Sequence, residues 1–235
     1  FSGDGMRLTV LIGAMKGDVA NVTFDGCTWR DGAVLLLLGN AYAAVESLNV
    51  VVTGNTFYDA LLSPEGWFPP HTNITISGNR FTVTRLIPRT GLDRGVPSCV
   101  AMNGLVISND SAVVFSGNTF HTVRGLSSAI HVVRSALRVS WHSVFAVVGN
   151  TFHVAGVNGT LIYLGGSSQS SSLSVLNSSA VVIRGNVVSR PVKCFMFSLG
   201  LTCRVPFSGR VSGQRHAGNL ACVSLKRILQ YLPQL

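Results

Sequence analysis

The sequence predicts an all-β fold built as a right-handed parallel β-helix, and three observations predict it. The tetrapeptide GNTF recurs letter for letter at 54–57, 117–120 and 149–152. Before each copy apolar and other residues alternate with period two, the spacing of a strand with one buried face. The units also recur at intervals of tens of residues, as stacked repeats do.

Setting the glycine at zero aligns six segments, on Gly26, Gly54, Gly78, Gly117, Gly149 and Gly185, separated by 28, 24, 39, 32 and 36 residues. Four places before the glycine stand Val22, Val50, Ile74, Val113, Phe145 and Val181. Two before it stand Phe24, Val52, Ile76, Phe115, Val147 and Ile183. These positions share one face of a strand. Three places after the glycine the inward face resumes with Trp29, Phe57, Phe81, Phe120, Phe152 and Val188. The pairs Gly54-Asn55, Gly78-Asn79, Gly117-Asn118, Gly149-Asn150 and Gly185-Asn186 are therefore corners between two short strands, because Gly and Asn accept left-handed backbone angles cheaply. Stacked corners would let each Asn bond to its neighbours above and below, and Phe57, Phe81, Phe120 and Phe152 would stack as a second column.

Three strands of about five residues with their turns need roughly 20 to 25 residues, so longer loops account for the wider intervals. At the common offset of 32, Ala129, Ile130, His131 and Val132 align with Leu161, Ile162, Tyr163 and Leu164, which marks a further strand in each coil. Helices are excluded by the period of two and by Gly-Asn pairs that would interrupt them. A β-propeller needs blades of about 40 residues, too long for the 24-residue interval, and a sandwich does not require the fixed Gly-Asn register. The repeat domain is expected over 1–203, with an irregular or helical basic tail over 204–235 that could cap the open end of the solenoid or be an end unrelated to it.

Of 235 residues, 47% are apolar and only 11% charged, so Ser, Thr, Asn and Gly must build the surface. Residues 1–110 carry seven Lys/Arg and nine Asp/Glu, a net −2, whereas 111–235 carry eleven Lys/Arg and no acid, a net +11. Such asymmetry draws polyanions to the second half. The longest apolar run, 33–38, is far shorter than the roughly 18 residues of a membrane span. The chain opens Phe-Ser-Gly-Asp-Gly without an initiator Met or signal peptide, as a fragment or processed piece would.

Cys27, Cys99, Cys194, Cys203 and Cys222 fit no metal-ligand spacing, and no metal or cofactor is expected. Asn21, Asn73, Asn109, Asn158 and Asn177 begin glycosylation sequons, which points to the secretory route, where Cys194 and Cys203 could pair. Asp25, Asp31 and Asp59 fall near corners of the first coils and form no compact acidic cluster such as glycoside cleavage requires. His121 and His153 share the column four past the glycine, an outward position that also holds Arg30, Tyr58, Thr82 and Ser189. Arg134, Arg138, Arg184 and Arg190, with Trp141 and Tyr163 near in sequence, are candidates for a face that grips an acidic glycan; a merely solvated face is the competing reading.

The repeated V-x-[VIF]-[ST]-G-N-[TR]-F unit, carried by 54–57, 78–81, 117–120 and 149–152, resembles the dispersed gene family of large trypanosome surface proteins over roughly residues 20 to 190. That resemblance implies a pectate-lyase-like solenoid in a glycosylated, adhesive protein at the cell surface, with a longer, membrane-anchored parent. It supplies no catalytic residues. The chain departs from the family in lacking membrane spans and a Cys-rich module.

The expected function is thus a non-catalytic surface adhesion module whose partners are host glycans or extracellular-matrix proteins, not nucleic acid. A polysaccharide lyase or glycoside hydrolase on the same scaffold is the enzymatic rival, and a structural or antigenic spacer is the third reading. Oligomeric state has no signal in the sequence.

Overall fold

A computed structural model describes residues 7–11, 16–39, 44–84, 98–123, 129–132, 137–155, 160–164, 174–188 and 194–196. Among these residues the structure is all-β, with strands paired in parallel and no helix. The tail over 204–235 lies outside the described residues, as do Arg134, Asn158, Arg190, Cys203 and Cys222.

The sequence repeat is the structural repeat. One six-stranded sheet holds Lys16–Asp25, Ala44–Thr53, Thr72–Ser77, Ala112–Ser116, Val144–Val148 and Ala180–Arg184, each paired with the next. A second holds the strands just past each corner: Thr28–Arg30, Thr56–Tyr58, Arg80–Val83, Thr119–Val123, Thr151–Ala155 and Val187–Val188. The third sheet has ten strands, among them Val34–Gly39 and Leu61–Trp67, and the aligned Ile130 and Ile162 face each other in it. Register is kept across every corner: Val113 is opposite Ile74 and Phe145, and Phe120 is opposite Phe81 and Phe152. The order of strands is consistent with a β-helix-like solenoid.

The alternation sorts side chains as expected. Val50, Ile74, Val113, Phe145 and Val181 are buried, and so are Val52, Ile76, Phe115, Val147 and Ile183. Val22 and Phe24, in the first repeat, are only half-buried. Trp29, Phe57, Phe81, Phe120 and Phe152 form one continuous stack, with centroid spacings of 5.8, 4.6, 4.9 and 4.9 Å and planes within 12° of parallel. Strands in a sheet are about 4.8 Å apart, so in-register rings on neighbouring strands are brought to stacking distance by the backbone itself.

At each corner only the glycine is left-handed: Gly54 has φ 62° and Gly117 φ 61°, whereas the following asparagines have negative φ. The expectation that Asn shares the turn's backbone strain is corrected here. Asparagine is required for its side chain, which is buried and satisfies the corner. Asn55, Asn79, Asn118 and Asn150 each donate a backbone N–H to the Oδ1 of the next Asn, at 2.9, 3.0, 2.9 and 2.9 Å. Each Nδ2 in turn donates to the carbonyl two places before the preceding corner's glycine, as Asn79 does to Val52 and Asn118 to Ile76. In the first repeat Cys27 replaces the Asn, and its N–H donates to Asn55 Oδ1 at 2.8 Å. Buried amides are thus paired down the whole stack, as burial demands.

A second polar ladder lies at another corner. Thr72, Ser111 and Ser143 each donate a backbone N–H to the hydroxyl of Ser111, Ser143 and Ser179, at 3.0, 3.1 and 3.1 Å, and all four are buried. With two ladders holding the corners, the stack presents its outward residues in fixed columns.

Candidate functional site

The corner that precedes the Ser/Thr ladder is built from consecutive left-handed residues. Asn109 and Asp110 have φ of 56° and 56°, Trp141 and His142 of 55° and 58°, and Asn177 and Ser178 of 53° and 57°. Backbone bonds tie them tier to tier, from Asp110 N to Trp141 O at 2.9 Å and from His142 N to Asn177 O at 3.0 Å. Asn and Asp accept this conformation cheaply, but for an indole it is strained by about 1–2 kcal/mol. Trp141 nevertheless stands there, 53% exposed.

Register extends this corner into the ten-stranded sheet. Trp67 is opposite Val106, Val106 is opposite Arg138, and Arg138 is opposite Ser174. Trp67 is 56% exposed while the adjacent Phe68 is buried, so the strand turns the indole outward and the phenyl ring inward. Two strand steps put the Trp67 and Arg138 backbones roughly 10 Å apart. Three residues past the exposed Arg138 comes Trp141. On the same corner His142 Nδ1 lies 3.7 Å from Asp110 Oδ1, both side chains well exposed. The result is a ridge of two exposed indoles and a guanidinium, a set that suits stacking on an apolar face and pairing with an anion.

Of the four arginines singled out in the sequence, Arg138 belongs to this ridge. Arg184 is exposed at the end of Ala180–Arg184, on a different sheet, so the described arginines do not make a single face. Arg134 and Arg190 lie outside the described residues. Tyr163 belongs to Thr160–Tyr163, but its side chain is outside what is described. Trp67 escaped the sequence reading because either Trp67 or Phe68 could have pointed outward; only register decides. Asn21, Asn73, Asn109 and Asn177 are all exposed, while the buried ladder asparagines begin no sequon.

A second outward surface belongs to the six-stranded sheet past the corners. His121 and His153 are in register and stack at 4.4 Å with planes 13° apart. Partial burial, then His153 and Arg80, hold the His121 pKa below its ordinary value. The rings are half-buried, less open than the outward column was expected to be.

Of the three aspartates considered for catalysis, Asp25 and Asp31 are exposed. Asp59 is buried, and its two carboxylate oxygens accept from Thr84 N at 2.6 Å and Thr84 Oγ1 at 2.7 Å. Those bonds tie Asp59 to Thr84. Cys99 is fully buried, and its thiol is pushed far up by that burial, with Asp59 adding to it. Among the described residues no three His, Cys, Asp or Glu side chains converge as metal donors, and no helix is long and apolar enough to cross a membrane.

No protein-family model, curated protein or solved structure matches the chain.

Proposed function

We propose that this chain is a right-handed parallel β-helix serving as an adhesion module of a cell-surface glycoprotein, in the manner of the trypanosome dispersed gene family, and that it holds acidic glycans or matrix proteins without chemical turnover. The observation that carries this reading is Trp141. An indole is kept exposed in a strained backbone conformation where the tiers on either side use the cheaper Asn109 and Asn177. Strain persists where the surroundings over-determine it, and it concentrates at binding and switch positions. Trp67 and Arg138 supply a second stacking surface and a charge on the same ridge. Exposed sequons at Asn109 and Asn177 border that ridge and agree with an extracellular setting.

The test is retention of the full chain on immobilised heparin across a salt gradient. Retention that falls steeply with salt and drops several-fold in Trp141→Gly and Arg138→Gln supports the reading, because exposed charge contacts are screened. Absent retention, or release of new reducing or unsaturated ends from the glycan, overturns it.

A further inference from the structure

The outer face of the sheet carrying His121 and His153 brings basic and neutral side chains together. Its outward positions over the first five strands, read up the stack, are Thr28 and Arg30, Thr56 and Tyr58, Arg80 and Thr82, Thr119 and His121, Thr151 and His153, and the sixth strand continues the face with the exposed Val187. Every one of these side chains is exposed or half-exposed. No carboxylate stands among them; Asp25 and Asp31, both exposed, lie at the corners beside the first strand. Arg80, His121 and His153 lie on three consecutive strands and Arg30 lies two strands before Arg80, so the basic groups span roughly 19 Å along the stack, divided between two adjacent columns.

We propose that this face is a docking surface for a sulfated glycan chain, held by Arg30 and Arg80 at neutral pH and more tightly once His121, stacked on His153, takes up a proton. The inference deepens the adhesion reading and rests on it, but uses a different sheet from the Trp67–Arg138–Trp141 ridge. A linear array of positive charge complements a linear polyanion. Sulfate follows from the chemistry of the switch: phosphate monoesters lose charge near pH 6, over the same range in which histidine gains it, whereas sulfate esters stay fully ionised.

Among the described residues the groups facing His121 within the sheet can be named. Arg80 and Thr82 come from the strand on one side, Thr151 and His153 from the strand on the other, and Thr119 from its own. These neighbours are neutral or basic, so none of them stabilises the imidazolium, and the stacked rings at 4.4 Å repel when both are charged. An anion laid across the pair removes that penalty. Binding therefore takes up protons, and by linkage affinity rises as pH falls through the histidine range.

The experiment measures the full chain on surface-bound heparin at constant ionic strength at pH 7.5 and pH 5.5, with hyaluronate, which carries carboxylates alone, as the comparison glycan. The expected result is roughly three- to tenfold tighter heparin binding at pH 5.5, one protonation shift of a single unit being worth tenfold. In His121→Gln/His153→Gln that ratio falls to near one with pH 7.5 binding retained. Arg80→Gln, an exposed change that leaves the core intact, weakens binding at both pH values. Arg138→Gln lowers binding without altering the ratio. A pH ratio that survives loss of both histidines, or hyaluronate held as tightly as heparin, overturns this proposal while leaving the adhesion reading standing. Failure of the wild-type chain to bind at either pH overturns both.

Discussion

Asn118 Oδ1 accepts two hydrogen bonds from Asn79, one from its backbone N–H and one from its Nδ2, each at 3.0 Å. The donor pair is 39 residues away in sequence and one tier away in space. Asn118 then spends its own Nδ2 on Ile76 O at 2.8 Å and its N–H on Asn150 Oδ1 at 2.9 Å.

Asn118→Ala leaves the Asn79 backbone N–H and the Ile76 carbonyl buried without those partners, while Asn79 Nδ2 keeps its bond to Val52 O. Each orphaned group costs about 1–3 kcal/mol, so a total loss of about 3 kcal/mol is expected. Urea unfolding of the variant beside wild type measures it. A loss under about 1 kcal/mol would mean that the ladder is decorative.

Phe120 lies between Phe81 and Phe152 at 4.9 Å from each. Phe120→Ala opens a ring-sized cavity in the middle of the stack and is expected to cost about 3–5 kcal/mol, with Phe120→Leu costing less. The same unfolding experiment reads both.

Trp141→Gly removes the left-handed strain of the indole but adds chain entropy to the unfolded state, two effects of about 1 kcal/mol each and opposite sign. Stability is expected to stay within about 1 kcal/mol of wild type while heparin retention falls. A large loss of stability would assign Trp141 to the framework instead of to binding.

His121 has a depressed pKa in the fold, first through burial and then through His153 and Arg80. The unfolded chain therefore binds a proton before the folded chain does. Stability conferred by the neutral ring is full above the unfolded value of about 6.5 and is lost as pH falls through that value toward the folded one. Thermal melts without glycan should show a lower Tm at pH 5.5 than at pH 7.5, and His121→Gln should flatten part of that slope. A Tm that rises on acidification would contradict the sign.

Cys99 is fully buried with its thiol strongly disfavoured as thiolate, whereas Cys27 is half-exposed at the first corner. Iodoacetamide followed by peptide mapping should label Cys27 in the native protein and Cys99 only after unfolding.

Much of the architecture was legible because three columns at fixed offsets from glycine carry it, and a period-two pattern has one solution once one face is buried. The Asn corners were legible for the wrong reason in part: their backbone is ordinary, and the ladder is what needs them. The Ser/Thr ladder sits six places before the glycine, at Thr72, Ser111, Ser143 and Ser179, but Ala20 and Leu48 stand there in the first two repeats and hid it. The ridge was harder still. Its corner fixes backbone angles through tier-to-tier bonds and leaves side-chain identity free, so Asn109, Trp141 and Asn177 share a column that no residue type announces.

The central claim is the stacking of successive repeats in register, and phenylalanine ring contacts in solution test it most directly. With ring-labelled phenylalanine, and resonances assigned through Phe→Leu variants, nuclear Overhauser effects are expected between Phe81 and Phe120 and between Phe120 and Phe152. None is expected between Phe57 and Phe120, two strand steps and roughly 10 Å apart. Absence of the neighbouring contacts, or equally strong contacts across two tiers, would contradict the stack.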